Sequence, residues 1–235
     1  MEKEKTILDS IDWGRSISNR EEKQIIANRI AEKVQDGDVI GVGSGSTVYL
    51  ALLSIAKRIE REKLRVLAIP TSHEIKITCA RLGIPLTSLL EHTPHWTFDG
   101  ADEIDLDYNM IKGRGGAMFK EKLLITSSPK TYIVADSSKR VAKLGTFFPI
   151  PVEVFPEALI HVEKTLRILH PSEIRLRMAE GKDGPVITEN GNLILDVRFP
   201  EIAPFLESAI KAITGVIENG LFVNYKVEVI GLEEA

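Results

Sequence analysis

The chain has 235 residues, of which 43% are hydrophobic and 27% charged, a composition typical of a globular protein with one large domain or two modest ones. Its net charge of −4 disfavours broad binding to nucleic acid, although a local cationic pocket for a phosphate remains compatible with it. No apolar run approaches the length of a membrane span, and the charged N-terminus lacks the apolar core of a signal peptide. We therefore expect a cytoplasmic protein that binds neither nucleic acid nor a membrane.

Thiol and metal chemistry find little support in the residue types. Cys79 is the single cysteine, which excludes an intrachain disulfide, and its place on a predicted helix is typical of a small buried side chain. No recognisable ligand pair is formed by the histidines at positions 73, 92, 95, 161 and 170. We expect no metal and no other cofactor.

Up to about residue 149 the pattern alternates helices with short apolar strands. A polar lead-in covers residues 1–20. Periodicity and turn signals predict helices over 21–34, from Thr47 onward, over 72–82 and near 116–127, and strands over 39–42, 65–70, 96–99 and 131–135. This alternation favours parallel βαβ units in a Rossmann-like sheet. Because sites in such sheets form at the carboxyl ends of strands, we expect the loops there to line one crevice.

The pattern changes near Pro149–Pro151. Strands are predicted over 152–155, 173–178, 186–188, 193–197 and 216–223, and helices over 157–169 and 201–213. Asn190-Gly191 between apolar runs predicts a hairpin, and the order of elements resembles a ferredoxin-like unit with one extra strand. A last strand near 226–230 can return to the first sheet. We predict an α/β protein in which residues 1–149 plus 221–235 form a Rossmann-like catalytic domain and residues 150–220 a smaller ferredoxin-like α+β domain.

The first motif is Gly43-Ser44-Gly45-Ser46-Thr47, between a predicted strand and a predicted helix. Glycines let the backbone approach a ligand, and the free N–H groups at a helix start favour an anion such as phosphate. The alternative is a tight turn in which Ser46 or Thr47 caps the helix. The motif is not a Walker loop, since no Gly-Lys-Ser/Thr follows, and Ser46 stands where a dinucleotide fingerprint requires a glycine.

The second motif is an acidic run formed by Asp99, Asp102, Glu103, Asp105 and Asp107. A solvated acidic loop is the plain alternative, and a metal site is another, although the spacing does not match a calcium loop. The functional interpretation places Asp99 and Asp102 in the crevice, where a nearby cation relieves the repulsion between two carboxylates.

The third motif supplies that cation, Lys112, beside the glycine-rich Gly113-Arg114-Gly115-Gly116. A predicted helix with Glu121 near its start follows. The plain alternative is a surface loop leading into an exposed helix, where an acidic residue in the first turn is favourable. Together, a phosphate loop, an acid pair, a cation and a carboxylate base indicate proton transfer on a phosphorylated substrate.

Taken in order, these motifs resemble ribose-5-phosphate isomerase of the A type. The likeness is carried by Gly41–Thr47, Asp99–Asp105, Ile111–Ala117 with Glu121-Lys122, and Asp136–Lys139, and more weakly by Pro151–Phe155, Thr188–Asp196 and Gly215–Phe222. The resemblance implies interconversion of ribose 5-phosphate and ribulose 5-phosphate in the pentose phosphate pathway, without a metal. It also implies a Rossmann-like main domain with a smaller α+β domain, assembled as a homodimer or homotetramer.

The resemblance also implies roles for individual residues. Glu121 corresponds to the base that moves a proton between C1 and C2 through a cis-enediolate. The groups around the reacting oxygens correspond to Asp99, Asp102 and Lys112, and which aspartate assists ring opening stays open. Substrate-holding positions correspond to Ser44, Gly45, Ser46, Thr47, Gly113, Gly115, Gly116 and Lys139. The chain departs from the family pattern at Arg114 and at Met118-Phe119-Lys120.

Two other classes of function remain as alternatives. One is a different sugar-phosphate enzyme, such as an amino-sugar-phosphate isomerase-deaminase or a lactonase, against which the pairing of the second and third motifs argues. The other is a sugar-phosphate sensor resembling the effector domain of a repressor. About forty residues precede the first predicted strand, and they contain no convincing helix-turn-helix or basic recognition helix.

Overall fold

A computed structural model describes residue 7 and residues 16–232, so most of the predicted lead-in lies outside the described residues. Contacts divide the chain into two compact units. Unit 1 consists of the described residues up to Gly100, of Leu124–Ser138 and of the described residues from Val227 onward. Unit 2 consists of Ala101–Leu123 and Lys139–Lys226.

The described elements follow one another as α1 (Arg20–Ala31), β1 (Val39–Val42), α2 (Ser46–Glu62), β2 (Leu67–Pro70), α3 (His73–Leu82), β3 (Trp96–Asp99), β4 (Glu103–Ile104), β5 (Met110–Ile111), α4 (Met118–Ser127), β6 (Thr131–Val134), β7 (Ile150–Val154), α5 (Leu159–Leu166), β8 (Glu173–Leu176), β9 (Leu193–Arg198), α6 (Leu206–Lys211), β10 (Val216–Asn219), β11 (Leu221–Phe222) and β12 (Glu228–Ile230). Short 3₁₀ turns cover Ser137–Lys139, Pro156–Ala158 and Arg167–Leu169.

Unit 1 is built on a five-stranded parallel sheet with the strand order β12-β6-β3-β1-β2. Strands β1, β3 and β6 are buried along their whole length, as expected for the central strands of a parallel sheet. The core joins this sheet to α1 and α2, with Ile26, Ile30, Leu52 and Phe98 at its centre. The predicted return of the last strand to the first sheet is confirmed, because β12 pairs with β6.

Local signals explain where α3 begins and ends. The Ser72 hydroxyl accepts a hydrogen bond from the Ile75 N–H at 3.2 Å, which caps the helix. Gly83 ends it in the left-handed region, with φ +69°. The predicted span of 72–82 thus agrees with the structure, because a capping residue marks each end of the helix.

Unit 2 contains a four-stranded antiparallel sheet with the order β10-β7-β9-β8, packed on α5 and α6. The order β7-α5-β8-β9-α6-β10 along the chain is the βαββαβ pattern of ferredoxin-like units. A small antiparallel sheet, ordered β11-β5-β4, belongs to the same unit. The predicted fold class, a Rossmann-like parallel sheet with a smaller ferredoxin-like α+β part, is confirmed.

The strand predicted over 186–188 is wrong. The Val186 N–H donates to the Arg177 carbonyl at 2.9 Å, so the chain here pairs with the segment after β8 rather than with β9. Thr188 closes a tight turn with Asn192, and its hydroxyl donates to the buried Glu153 carboxylate at 2.8 Å. A side-chain hydrogen bond to Glu153, and not strand pairing with β9, therefore holds this segment.

Two other elements are shorter than predicted. The helix expected over 201–213 begins only at Leu206, two residues after Pro204, whose ring disfavours a helical conformation at the residue before it. The strand expected over 216–223 splits at Gly220 into β10 and β11, which belong to different sheets. A Cβ at Gly220 would lie 2.1 Å from the Lys112 carbonyl oxygen, so only glycine fits there.

The predicted domains remain a prediction. Their boundaries assign residues 101–123, 139–149 and 221–226 to the first domain, whereas contacts group these segments with unit 2. In the part of the chain that the structure describes, no helix is long and apolar enough to cross a membrane.

Candidate active site

The glycine loop of unit 1 begins where β1 ends and leads directly into α2. Gly45 has φ +105° and is the N-cap of this helix, which no side chain caps. The alternative in which Ser46 or Thr47 occupies the N-cap position is therefore wrong. A 17-residue helix that begins without a side-chain cap presents backbone N–H groups and the positive end of its dipole to an anion.

Ser44 ties this loop to the loop after β2. Its hydroxyl lies 2.9 Å from the Thr71 hydroxyl and donates to the Ser72 hydroxyl at 3.0 Å. Thr71 is itself held by its N–H, which donates to the Val42 carbonyl at 3.0 Å. A chain of hydroxyls thus fixes the loop beside the start of α3.

Asp99, at the end of β3, is almost completely buried, with 1% exposure. Its Oδ1 accepts the N–H of Gly100 at 2.7 Å and that of Ser44 at 3.1 Å. A Cβ at Gly43 would lie 1.9 Å from the same oxygen. Gly43 therefore lets the carboxylate approach the loop, and within unit 1 the structure brings the first motif and Asp99 together.

Lys112 and Glu121 form a buried ion pair within unit 2. The Nζ of Lys112 lies 3.3 Å from Oε2 of Glu121, and the two side chains are 2% and 6% exposed. Lys112 follows β5, where its N–H donates to the Gly220 carbonyl at 2.9 Å. Glu121 lies in the first turn of α4, a favourable position for an acidic side chain.

The glycines between them shape the turn that brings the pair together. Gly113 and Gly116 have φ +93° and +83°, a conformation that other residues rarely adopt, whereas Gly115 lies in open space. The N–H of Arg114 donates to Oδ2 of Asp102 at 3.0 Å. Within unit 2 the structure therefore brings Asp102, this turn, Lys112 and Glu121 together.

Lys139 lies in unit 2 at the end of a 3₁₀ turn, with its Nζ 5.8 Å from the centre of the Phe148 ring. In unit 1, the preceding Asp136 is buried, and its Oδ2 lies 3.4 Å from Nζ of Lys23. Burial opposes ionisation of this carboxyl, but hydrogen bonds from Ser138 and Asn19 and the charge of Lys23 outweigh it and lower its pKa.

Arg177 and Asp196 contact the glycine turn but are absent from the predicted site. Nε of Arg177 donates to Oδ2 of Asp196 at 2.8 Å, and its Nη2 pairs with Oδ1. Nη1 of Arg177 donates to the carbonyl of Arg114 at 2.7 Å and to that of Gly113 at 3.3 Å. No motif marks Arg177, which lies about sixty positions further along the chain than the glycine turn. Asp196 ends the weakly matching stretch Thr188–Asp196, but the resemblance gives it no role.

Two negative expectations concern ligands and thiols. Within residues 16–232, no three histidine, cysteine, aspartate or glutamate side chains are grouped as a metal site requires. Burial raises the pKa of the Cys79 thiol to about 12, so the thiolate form, which is the nucleophile, is suppressed.

Comparison with known proteins identifies the family. The protein-family model described as ribose 5-phosphate isomerase A (phosphoriboisomerase A) matches residues 67–234. The chain is 42% identical to ribose-5-phosphate isomerase A of Methanothermobacter thermautotrophicus over 85% of this chain and 88% of that protein. It is 44% identical to the enzyme of Bacillus mycoides over 87% of this chain and 92% of that protein.

Solved structures agree with this. Ribose 5-phosphate isomerase A from Methanocaldococcus jannaschii has a TM-score of 0.87 at 40% identity, covering 92% of this chain and 97% of that chain. A D-ribose-5-phosphate isomerase in complex with phospho-erythronic acid has a TM-score of 0.86 at 35% identity, with the same coverage of 92% and 97%. The resemblance drawn from the motifs is thereby confirmed, and this chain belongs to the ribose 5-phosphate isomerase A family.

Proposed function

We propose that this chain interconverts D-ribose 5-phosphate and D-ribulose 5-phosphate by metal-independent proton transfer through a cis-enediolate. The observation that carries the proposal is the buried pair of Lys112 and Glu121, 3.3 Å apart, in a family whose curated relatives are ribose-5-phosphate isomerases. A carboxylate beside an ammonium supplies both a base and a positive charge for an oxyanion. The aldose-ketose step uses a base for proton transfer and a donor that stabilises the oxyanion, and this pair can supply both.

Glu121 is the proposed base. It removes a proton from the carbon next to the carbonyl and returns it to the neighbouring carbon, so one carboxylate serves both transfers. A base positioned in this way typically contributes about 10²–10⁴-fold to the rate. In the intermediate the negative charge develops on oxygen, where the Lys112 ammonium stabilises it, the more strongly because its side chain is only 2% exposed.

The proposed role of the aspartates is to move hydroxyl protons during ring opening. Asp99 accepts two backbone N–H groups, whereas Asp102 accepts the N–H of Arg114. Either carboxylate can exchange a proton with a sugar hydroxyl. Comparing Asp99→Asn with Asp102→Asn on the linear and the cyclic substrate would assign the step to one of them.

The substrate phosphate is proposed to bind at the glycine loop, Ser44–Thr47, with Lys139 as a further contact and Gly113, Gly115 and Gly116 beside the sugar. The start of α2 supports this, since its N–H groups and dipole favour an anion. The solved relative that holds phospho-erythronic acid supports a phosphorylated ligand of sugar size. Binding energy from the phosphate then orients the sugar for proton transfer.

Proton NMR of ribose 5-phosphate in D₂O with EDTA tests the proposal. We expect ribulose 5-phosphate to appear and deuterium to enter at the exchanging carbon. The Glu121→Gln variant should fold but lose at least about 10²-fold in kcat, the lower limit for a positioned base. Glu157→Gln, which removes an exposed carboxylate from the same unit, is the matched control and should keep its activity.

The outcomes separate the alternatives. Line broadening of the sugar signals without conversion would support a sugar-phosphate sensor. Release of ammonia from an amino sugar phosphate would support the isomerase-deaminase alternative. Near-normal turnover by Glu121→Gln would remove Glu121 from the role of base while leaving the isomerase function in place.

The setting of the enzyme is proposed from the same family. We infer a cytoplasmic homodimer or homotetramer in the pentose phosphate pathway, which acts on a small sugar phosphate and binds neither nucleic acid nor a membrane. Light scattering of the purified protein would measure its assembly state directly.

A further inference from the structure

We propose that Arg177 is a positioning residue for the isomerisation, an inference that rests on the proposed function. With Asp196 it fixes the peptide between Gly113 and Arg114, and through that peptide it sets the positions of the Asp102 carboxylate and the Lys112 ammonium. The hydrogen bonds of the Arg177 side chain go to Asp196 and to the carbonyls of Gly113 and Arg114. Its effect therefore passes through the backbone.

The first observation is that one peptide group is held from both sides. Its carbonyl, from Gly113, accepts Nη1 of Arg177 at 3.3 Å, and its N–H, from Arg114, donates to Asp102 at 3.0 Å. The next carbonyl, from Arg114, accepts the same Nη1 at 2.7 Å. Asp102 and Arg177 are thus connected through one planar peptide, so a rotation of that peptide disturbs both contacts.

The second observation is that the guanidinium is itself fixed. Two of its nitrogens pair with the two carboxylate oxygens of Asp196, in the planar geometry that arginine favours. The backbone N–H of Arg177 donates to the Ile194 carbonyl at 2.9 Å, and Asp196 lies in β9 between β7 and β8. The antiparallel sheet therefore provides a rigid support for a turn that contains three glycines.

The third observation is that the turn needs such support. Gly113 adopts φ +93°, and a Cβ there would lie 2.8 Å from Cβ of Met118, so no side chain fits at this position. The residue therefore cannot be fixed by the packing of a side chain of its own. Glycine gains the most conformational freedom when it is released. A lysine that must lie 3.3 Å from its carboxylate partner therefore depends on contacts to the backbone.

Replacing Arg177 with alanine tests this. We expect kcat to fall about tenfold to hundredfold, because a displacement of about 1 Å in an active site can lower the rate by up to about 10²-fold. KM for ribose 5-phosphate should change by a smaller factor than kcat. Arg177 is only partly buried and borders a pocket of about 480 Å³ that also contacts Asp102 and Arg114. Free guanidinium can therefore enter, and millimolar guanidinium should restore part of kcat, whereas an equal concentration of urea should not.

The matched control is Arg175→Ala, two residues earlier on the same chain segment. Arg175 is an exposed arginine that pairs with Glu173 within β8. Arg175→Ala removes the same charge and the same side chain as Arg177→Ala, but it leaves the hydrogen bonds to the glycine turn in place. We expect its kcat and KM to stay those of the wild type, with no effect of guanidinium.

Hydrogen–deuterium exchange over residues 111–118 separates this inference from the proposed function. If the wild type does not isomerise the sugar, the proposed function fails, and faster exchange of this segment in Arg177→Ala still supports the anchoring of the turn. If the wild type is active, unchanged kcat or unchanged exchange in Arg177→Ala overturns the inference alone. Should Arg177→Ala not fold, Asp196→Asn carries the same test: a lower kcat with faster exchange supports the inference, and wild-type values of either overturn it.

Discussion

The loop between β1 and α2 in unit 1 and the segment from Lys112 to Glu121 in unit 2 both follow a short strand, but different forces hold them. In unit 1, Asp99 accepts neutral backbone N–H groups and contacts Gly43 so closely that no Cβ fits. In unit 2, a buried ammonium and a buried carboxylate pair with each other, and an arginine holds the turn between them. Steric fit therefore dominates the first region, whereas charge dominates the second.

This difference matters for what each region can do. Neutral donors around a helix start bind an anion without a large cost of desolvation, which suits a substrate phosphate. A buried ion pair is costly to form and gains little net stability. Its presence is therefore better explained by chemistry that uses the charges than by stability of the fold.

The largest effect is expected from Lys112→Met, which leaves the buried Glu121 carboxylate without the Lys112 ammonium. Removing one partner of a buried pair typically destabilises a protein by about 3–5 kcal/mol. The double variant Lys112→Met/Glu121→Leu should recover much of this loss, because apolar groups of similar volume often replace a buried pair without cost, but it should stay inactive. Urea unfolding and turnover measure the two quantities.

Lys164→Met, on an exposed position of α5, is the control for losing a lysine, with an expected change below about 0.5 kcal/mol. Equal stabilities of the single and double variants would show that charge does not govern this region. The proposed difference between the two regions, steric fit in unit 1 and charge in unit 2, would then be wrong.

The next effect is expected from Gly43→Ala in unit 1. The new Cβ would lie 1.9 Å from Oδ1 of Asp99, so either the loop or the carboxylate must move. Overpacking of this kind costs about 1–3 kcal/mol, and the displaced loop should weaken phosphate binding, seen as a raised KM. Gly181→Ala, where nothing lies within 4 Å, should change neither quantity. A Gly43→Ala variant with wild-type stability and KM would contradict steric control of this region.

The smallest effect is expected from Asp136→Asn. This variant tests whether charge also contributes to the free energy of unfolding in unit 1. This carboxyl is ionised in a site with Lys23, Asn19 and Ser138, and its pKa is lowered. Unlike Lys112→Met, this change keeps a side-chain oxygen that can accept the hydrogen bonds of Asn19 and Ser138. At pH 7 we therefore expect a loss of only about 0.5–1.5 kcal/mol, the usual net contribution of one hydrogen bond. Because the pKa of Asp136 in the folded state lies below the ordinary aspartate value of 3.8, this contribution is present above pH 3.8 and is lost as the pH falls through the folded pKa.

Unfolding at pH 7, pH 5 and pH 3 measures this dependence. The difference between wild type and Asp136→Asn should be constant between pH 7 and pH 5 and should shrink at lower pH. A difference that does not vary with pH would show that shape, rather than charge, determines the contribution of Asp136. The contrast between the two regions would then be sharper.

Much of unit 1 could be predicted because its signals are local. A continuous apolar run identifies β1, and Ser72 and Gly83 mark the ends of α3, since capping and the left-handed conformation depend on neighbours in the chain. In unit 2 the prediction failed at 186–188, where Thr188 bonds to Glu153, thirty-five residues earlier. Periodicity reports which face of a segment is apolar and carries no information on a distant polar partner.

The sequence by itself determined the family, the fold class and the residue types that the proposed chemistry needs, because motifs and periodicity are properties of short stretches of chain. Only the tertiary structure decided that Gly43 makes room for Asp99, that Lys112 and Glu121 are buried as a pair, and that Arg177 holds the turn between them. Each of these depends on distances of a few ångströms between residues that are 9 to 64 positions apart in the chain. Such distances are set by the packing of strands and helices and not by any pattern along the sequence.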